Sequence, residues 1–437
     1  MKRDIIDKLL KWKNSNRRKP LILTGVRQCG KTYALKEFGD NYFDDVCYIN
    51  FEESSQLAAV FEYDFDVNRI IKEIELYAAH KITVGKTLLI FDEIQECPKA
   101  ITSLKYFCEN LKELHLVCAG SLLGVALKQE NISFPVGKVN RMQMYPMSFR
   151  EFLMALNHEE YLDLFSTWKA DRAIPDLYEV PMKKLLKEYY YVGGMPEAVK
   201  EFAETGDLSE VAEIQKEILS DYADDFSKHA PVTEIEKIRM IWDSIPKQLA
   251  KENNKFVFSH VKEGKRSHEL ECALQWLRNA GLIYQVEMIN SAEIPISANA
   301  DATYFKVYMS DIGLLGRRLG LSYNDFQNIE EVMGTFKGAI VENYVLNELL
   351  ALEKKPYFWR SGNTAEVDFV YESEGEVCPV EVKAATNTQA KSYKNFCKKY
   401  PVKKGYKLSL KNIAVNEVEE VKTVSLPLYL IWNMDLY

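Results

Sequence analysis

Several features are missing from this sequence of 437 residues, and each absence excludes something. No run approaches the roughly 18 uninterrupted apolar residues of a membrane helix, so no transmembrane span is expected. The amino-terminal MKRDIIDKLLKWKNSNRRKP has basic residues but no apolar stretch leading to small residues, so it does not read as a secretory signal, and a cytoplasmic location is the expectation. The eight cysteines show no CxxC and no Cys/His cluster of zinc-ligand spacing, which leaves reduced, mostly buried thiols. A basic excess is lacking too: 56 Lys and Arg stand against 64 Asp and Glu, for a net charge of -8 and a pI near 5.6. That excludes a polybasic coat, so any nucleic-acid role must rest on how charge is distributed. What is present is the composition of a soluble globular protein, 47% hydrophobic and 27% charged, in a chain long enough for two to four domains.

The first motif lies in LILTGVRQCGKTYALKEF. An apolar strand, Leu21 to Leu23, leads into Gly25-Val26-Arg27-Gln28-Cys29-Gly30-Lys31-Thr32, and an amphipathic helix follows from Tyr33. This is the full phosphate-binding loop between the strand and the helix that its mechanism requires. Glycine lets backbone N–H groups turn inward around a phosphate, and the helix amino terminus adds its positive end. Lys31 is expected at the β and γ phosphates of ATP, and Thr32 on Mg²⁺. VCYINFEE reads as a second strand, NRIIKEIELYAAH as a helix, and TLLIFDEIQECP as an apolar strand ending in Asp92-Glu93. A carboxylate there can complete the Mg²⁺ shell and its neighbour can take a proton from attacking water, so Asp92 is the candidate metal residue and Glu93 the candidate base. LHLVCAG is a further strand ending at Ser121, a candidate for sensing the γ phosphate. Lys138, Arg141 and Arg150 follow as candidates for a charge-stabilising finger on a neighbouring subunit, Arg141 foremost; such a finger would imply a homo-oligomer.

Together GVRQCGKT, FDEIQ, CAGSLLG, YPMSFREFL and YVGGMPEAV resemble the AAA-superfamily ATPases of bacteria and archaea that carry a carboxy-terminal domain of unknown function. The resemblance covers most of the chain in motif order. It implies ATP binding and hydrolysis on a parallel sheet with an added strand between the phosphate loop and the acidic strand. Where that pattern often has Gly-Arg, this chain reads Gly137-Lys138, which leaves the finger unassigned.

From about 151 to 230 the pattern is helical, broken by Gly193-Gly194 and Pro196, and by resemblance it is a small helical lid. From 231 to 325 two helical patterns precede two strand-like runs, the order of a winged helix. Lys262, Lys265, Arg266, His268 and Arg278 give it a modest basic face, which reads equally as a DNA contact or as a solvated surface.

In the last division, 326–437, FKGAIVENYVLNELLAL has helical periodicity and contains Glu342. AEVDFVYE and CPVEVKA read as two strands joined by an acidic turn, and alternate residues of a strand share a face, so Glu381 and Lys383 point the same way. If the strands pair, Asp368 joins them. Three carboxylates and a lysine are the makings of a Mg²⁺ site for attack of water on a phosphodiester, with Lys383 positioning the water or steadying charge. In order and type they resemble the PD-(D/E)XK nucleases, with Val367 in place of the proline that names the motif. Lys391, Lys394, Lys398, Lys399, Lys403, Lys404, Lys407 and Lys411 then follow with no intervening acid, and the first three have the spacing of one helix face that could lie along a phosphate backbone.

The expected architecture is therefore α/β: a P-loop NTPase sheet (1–150), a helical lid (151–230), a winged-helix-like domain (231–325) and an α/β nuclease-like domain (326–437). The leading functional reading is an ATPase acting on nucleic acid, DNA above RNA, with a candidate Mg²⁺-dependent nuclease site. An ATP-driven switch whose nuclease-like domain only binds DNA or protein stands beside it, and a regulatory NTPase without nucleic acid is third.

Overall fold

The computed structural model describes every residue except 122, 126–132, 252–254, 263–266, 330–335, 363–364 and 384–390. The chain falls into two compact units, residues 2–145 with 279–281, and residues 146–278 with 282–437 and residue 1. Lys265 and Arg266, from the expected basic face, lie outside the described residues.

In the smaller unit the apolar runs become strands β1 (Leu21–Gly25), β3 (Thr87–Asp92) and β4 (His115–Gly120), joined by β2 (Asp45–Asn50) and β5 (Asn140–Met144). Every residue of β3 and β4 is buried, as a parallel sheet covered on both faces demands. All pairings are parallel, in the order β2-β3-β4-β1-β5. β4 is thus the strand inserted between the phosphate loop and the acidic strand that the resemblance implied. β5 is a strand where sequence patterning showed none: NRMQM is short, polar and half-exposed because it forms the sheet edge. Helices α1 (Ile5–Lys13), α2 (Lys31–Tyr42), α3 (Val67–Ala78) and α4 (Pro98–Asn110) complete the unit. Ile70, Ile74, Ile101, Leu104 and Phe107 of α3 and α4 pack with Ile49, Leu89, Phe91 and Leu116 of the sheet into one core. Parallel register brings the ends of β1, β3 and β4 to one edge of the sheet, where ligands of such folds bind.

The larger unit begins with five helices, Phe149–Ala155, Glu159–Ser166, Asp176–Val192, Pro196–Thr205 and Leu208–His229, in the stretch read as a lid. The glycine pair at 193–194 has a steric reason. A Cβ on Gly193, whose φ is 75°, would lie 2.4 Å from an Asp311 carboxylate oxygen, and one on Gly194 would lie 2.1 Å from the Met147 carbonyl. Asp311 accepts from the Gly194 N–H at 2.6 Å and from Leu314 N–H at 2.9 Å, capping the helix Ile312–Arg318. Burial raises the Asp311 carboxyl to about 6, against the pull of those N–H donors.

Helices Ile235–Leu249 and Ser267–Asn279 precede β6 (Ile283–Ile289) and β7 (Ala300–Met309), the helix, helix, strand, strand order anticipated. The strand pair is not a free wing. β6 also pairs with β8 (Tyr357–Ser361), so β6 and β7 form one margin of an eight-stranded sheet. Its remaining strands are β9 (Ala365–Ser373), β10 (Glu376–Val382), β11 (Lys404–Ser409), β12 (Ala414–Val418) and β13 (Val421–Pro427), in the order β12-β13-β11-β10-β9-β8-β6-β7. β9 and β10 form an antiparallel hairpin with Glu374 and Gly375 both at positive φ, the geometry of a two-residue turn matched to strand twist. Helix Phe336–Ala351, buried over most of its length, packs on β7 and β10. All eight cysteines are free, seven of them buried and Cys272 exposed. Among the described residues no helix is long and apolar enough to cross a membrane.

Candidate functional sites: a nucleotide loop and a carboxylate–lysine cluster

After Gly25 the chain turns through Gln28 and Gly30, at φ 64° and 93°, before α2 starts at Lys31. A Cβ on Gly25 would fall 2.4 Å from the Met144 carbonyl of β5, so only glycine lets the loop leave the sheet here. Arg3 donates to the carbonyls of Cys29 and Tyr145, at 2.8 Å each, and holds the loop from behind. Lys31 bends over the loop, its Nζ 3.0 and 2.9 Å from the carbonyls of Gly25 and Val26. Arg27 is half-buried and Tyr33 exposed.

Asp92, buried at the end of β3, accepts through Oδ2 from Thr32 Oγ1 at 2.7 Å and from the Tyr48 hydroxyl at 2.8 Å; its Oδ1 accepts from the Glu93 N–H at 3.0 Å. Burial, then the bond to Asp92, pushes the Tyr48 phenol up, so it remains a neutral donor. Glu93 has left-handed backbone, φ 47°, unusual for a residue with a side chain and a form of strain often kept at functional positions. Its Oε2 accepts from Gln95 Nε2 at 2.5 Å and from Ser121 Oγ at 3.3 Å. The structure thus brings Thr32 to Asp92 and Ser121 to Glu93. A hydroxyl and a carboxylate touching at the amino end of a helix are hard oxygen donors of the kind Mg²⁺ takes beside nucleotide phosphates, so these residues fit that ion. Tyr48 and Gln95 were not singled out in the sequence; Gln95 was visible as the last residue of FDEIQ, whereas Tyr48 had no local signal. Of the finger candidates, Arg141 is exposed on β5 with its guanidinium 4.2 Å from the Phe134 ring centre, Lys138 is paired with Glu109 at 2.7 Å, and Arg150 belongs to the larger unit.

In the larger unit Glu342 comes from helix Phe336–Ala351, Asp368 from β9, Glu381 from β10, and Lys383 from just beyond it. Asp368 Oδ2 accepts from the Val382 N–H at 2.7 Å. Lys383 Nζ stands 2.6 Å from Glu381 Oε1, while Glu381 Oε2 is buried without a hydrogen-bond partner. Glu342 Oε2 accepts from the Tyr308 hydroxyl at 3.0 Å and lies 3.5 Å from Lys306 Nζ, which is also 2.6 Å from Glu366. Burial lifts the Asp368 carboxyl well above the usual range, helped by Glu381 and Glu342; burial lifts Glu381 as well, against Lys383. Burial opposes the charge of Lys306, but Glu342, Glu366 and Asp368 outweigh it and keep the ammonium protonated. Among the described residues no three of His, Cys, Asp or Glu are disposed to hold a metal ion. In this arrangement Glu342 and Glu381 are engaged by ammonium groups, and Asp368 by a backbone N–H. Lys306, Tyr308 and Glu366 are the members that sequence reasoning missed; the signal was a lysine inside the otherwise apolar YFKVYM.

The lysine series is partly spoken for. Lys394 and Lys398 meet Glu419 at 2.9 and 3.7 Å, Lys403 meets Glu376 at 2.5 Å, and burial lowers Lys404 and Lys407. Lys391 is exposed, as are Lys262, His268 and Arg278 of the expected basic face. Arg278 also borders a groove of about 360 Å³ with Tyr284, Glu287 and Lys355.

Residues 17–153 match the family described as "AAA domain". The smaller unit carries an AAA-type P-loop ATPase domain. Residues 183–325 and 337–429 match two families described as domains of unknown function, DUF8612 and DUF4143. Nothing among curated proteins matches the chain. Among solved structures it is similar to a Walker-type ATPase of Pyrococcus abyssi, at 14% identity and a TM-score of 0.45 over 73% of this chain and 95% of that one. It is also similar to the ORC2 protein of Aeropyrum pernix, at 12% identity and 0.36 over 77% and 90%, and to the ORC1 protein of the same organism in complex with DNA, at 13% and 0.29 over 72% and 90%.

Proposed function

We propose that the chain is an ATP-driven switch acting on nucleic acid, with DNA the expected class, and that its nuclease-like carboxy-terminal domain binds without cutting. The observation that carries this reading is a contrast: the hydrolytic residues of the first site are held by neutral groups, while carboxylates of the second are held by lysines. In the first site Lys31 exchanges the Gly25 and Val26 carbonyls for the β and γ phosphates of ATP. Thr32 and Asp92 would hold Mg²⁺, which would supply neutralisation of the phosphate charge. Glu93 turns out of the grip of Gln95 and Ser121 and takes the proton of the attacking water. Support for a nucleic-acid partner is the exposed Lys391 together with the groove, where the cations Arg278 and Lys355 stand beside Tyr284, the mixture that single-stranded sites employ.

The test is ATP turnover and DNA mobility on linear, single-stranded and branched labelled DNA, with Mg²⁺ or Mn²⁺. Wild type is expected to shift DNA and leave it intact, with DNA raising its turnover. Lys31→Ala and Glu93→Gln are expected to lose at least about a hundredfold in turnover, with Glu93→Gln still binding ATP. DNA that neither shifts nor changes turnover would remove the nucleic-acid reading; cutting that disappears in Asp368→Asn would remove the non-cutting one.

A further inference from the structure

The least expected group in the larger unit is Lys306. It lies in β7 between Phe305 and Val307, its side chain 2% exposed, with Nζ 2.6 Å from Glu366, 3.5 Å from Glu342 and 5.1 Å from the centre of the Phe358 ring. A lysine is almost never this buried unless carboxylates hold it. Tyr308, two residues on and so on the same strand face, donates to the same Glu342 oxygen. The strand cannot easily carry the ammonium away, because Lys306 pairs with Val286 of β6 and bridges Lys255 on its other side.

We infer that Lys306 is the built-in cation of the nuclease-like centre, standing where this set of carboxylates would otherwise need a divalent ion, so that the centre takes up neither Mg²⁺ nor Mn²⁺ while the lysine is in place. Three further observations agree. The Glu342 oxygen that a metal would need already receives Tyr308 and Lys306, and the Asp368 oxygen receives a backbone N–H. Lys383 is paired with Glu381 Oε1, so an incoming divalent ion meets a second positive charge. Glu381 Oε2 is buried without a hydrogen-bond partner, and a single carboxylate oxygen is a poor metal site. Lysine suits the role because its ammonium is a compact point charge.

The inference rests on the non-cutting reading above, but the two fail separately: mobility shifts and cleavage decide that one, and metal binding decides this one. Mn²⁺ is titrated into the full-length, nucleotide-free chain carrying Asp92→Asn to silence the ATPase site, with free Mn²⁺ followed by electron paramagnetic resonance. With Lys306 present, no Mn²⁺ binding that depends on Asp368 is expected, and Lys306→Arg behaves the same. Lys306→Met is expected to tighten Mn²⁺ binding at least about tenfold, the gain vanishing when Asp368→Asn is added. Binding in the Lys306 protein that disappears with Asp368→Asn would overturn the inference, as would a folded Lys306→Met protein with no gain. Should Lys306→Met fail to fold, the comparison of the Lys306 protein with and without Asp368→Asn decides alone.

Discussion

The two units each gather carboxylates beside a sheet, yet they satisfy them in opposite ways. Asp92 and Glu93 accept from hydroxyls, a carboxamide and a backbone N–H, all neutral. Glu342 and Glu381 are met by ammonium groups. A neutral donor can be displaced by a divalent ion at the cost of a hydrogen bond, on the order of 1 kcal/mol. Displacing a buried ammonium strands a charge in low dielectric, which costs several kcal/mol. On the reading proposed above, carboxylates are open to metal in one unit and closed to it in the other, and what decides is the charge of their neighbours.

The strongest way to break this comparison is to remove the internal cation. Lys306→Met leaves Glu342 and Glu366 without their ammonium, and the larger unit should lose about 3 to 5 kcal/mol, as when one partner of a buried pair is removed. Calorimetry of the full chain checks this, with the transition of the ATPase unit expected to stay in place. A loss below about 1 kcal/mol would mean that the lysine contributes little more than an exposed pair does.

Acid sharpens the contrast. His115 in β4 is buried with the edge of its ring against Trp12 and Phe43, and its Nδ1 has no partner. Burial, with Arg18 and Lys13 nearby, lowers it from 6.5 to about 4. The folded state then favours neutral imidazole, so its stability is intact above pH 6.5 and falls as pH drops toward 4, by up to about 3 kcal/mol. Asp311 runs the other way. With its carboxyl raised to about 6 in the folded state, stability is intact below its unfolded value of 3.8 and is lost as pH rises through 6, again by about 3 kcal/mol. Between pH 6.5 and 4 the two transitions should move in opposite senses; His115→Phe should flatten the first and Asp311→Asn the second. Variants that leave both slopes unchanged would show that other groups set them.

How much of this was legible beforehand follows from distance along the chain. The loop and its helix are contiguous, and Asp92 ends an unbroken apolar run, so local pattern reaches Gly25, Lys31, Thr32 and Asp92. Glu381 and Lys383 are likewise two residues apart on one strand. Lys306 stands 36 residues before Glu342 and reaches it because helix Phe336–Ala351 packs on β7, a packing no spacing rule announces. The partners of the lysine series were hidden in the same manner: Glu419, which meets Lys394 and Lys398, lies beyond the acid-free stretch, in the turn between β12 and β13.

Tyr48 gives the smallest effect and the finest test of the neutral-donor side. Its hydroxyl and that of Thr32 share Asp92 Oδ2, so Thr32 can transfer to Mg²⁺ while Tyr48 continues to orient the carboxylate. Tyr48→Phe removes one neutral hydrogen bond and leaves the ring beneath the Lys36 ammonium, 3.7 Å from its centre. The expected loss is about 1 kcal/mol, seen as a roughly fivefold higher Mg²⁺ requirement for ATP turnover with maximal turnover nearly retained. A structural role alone would lower the thermal transition without moving the Mg²⁺ dependence. If turnover fell while the Mg²⁺ requirement stayed fixed, Tyr48 would not be orienting Asp92 toward the ion, and Thr32 and the backbone N–H of Glu93 would be sufficient to aim it.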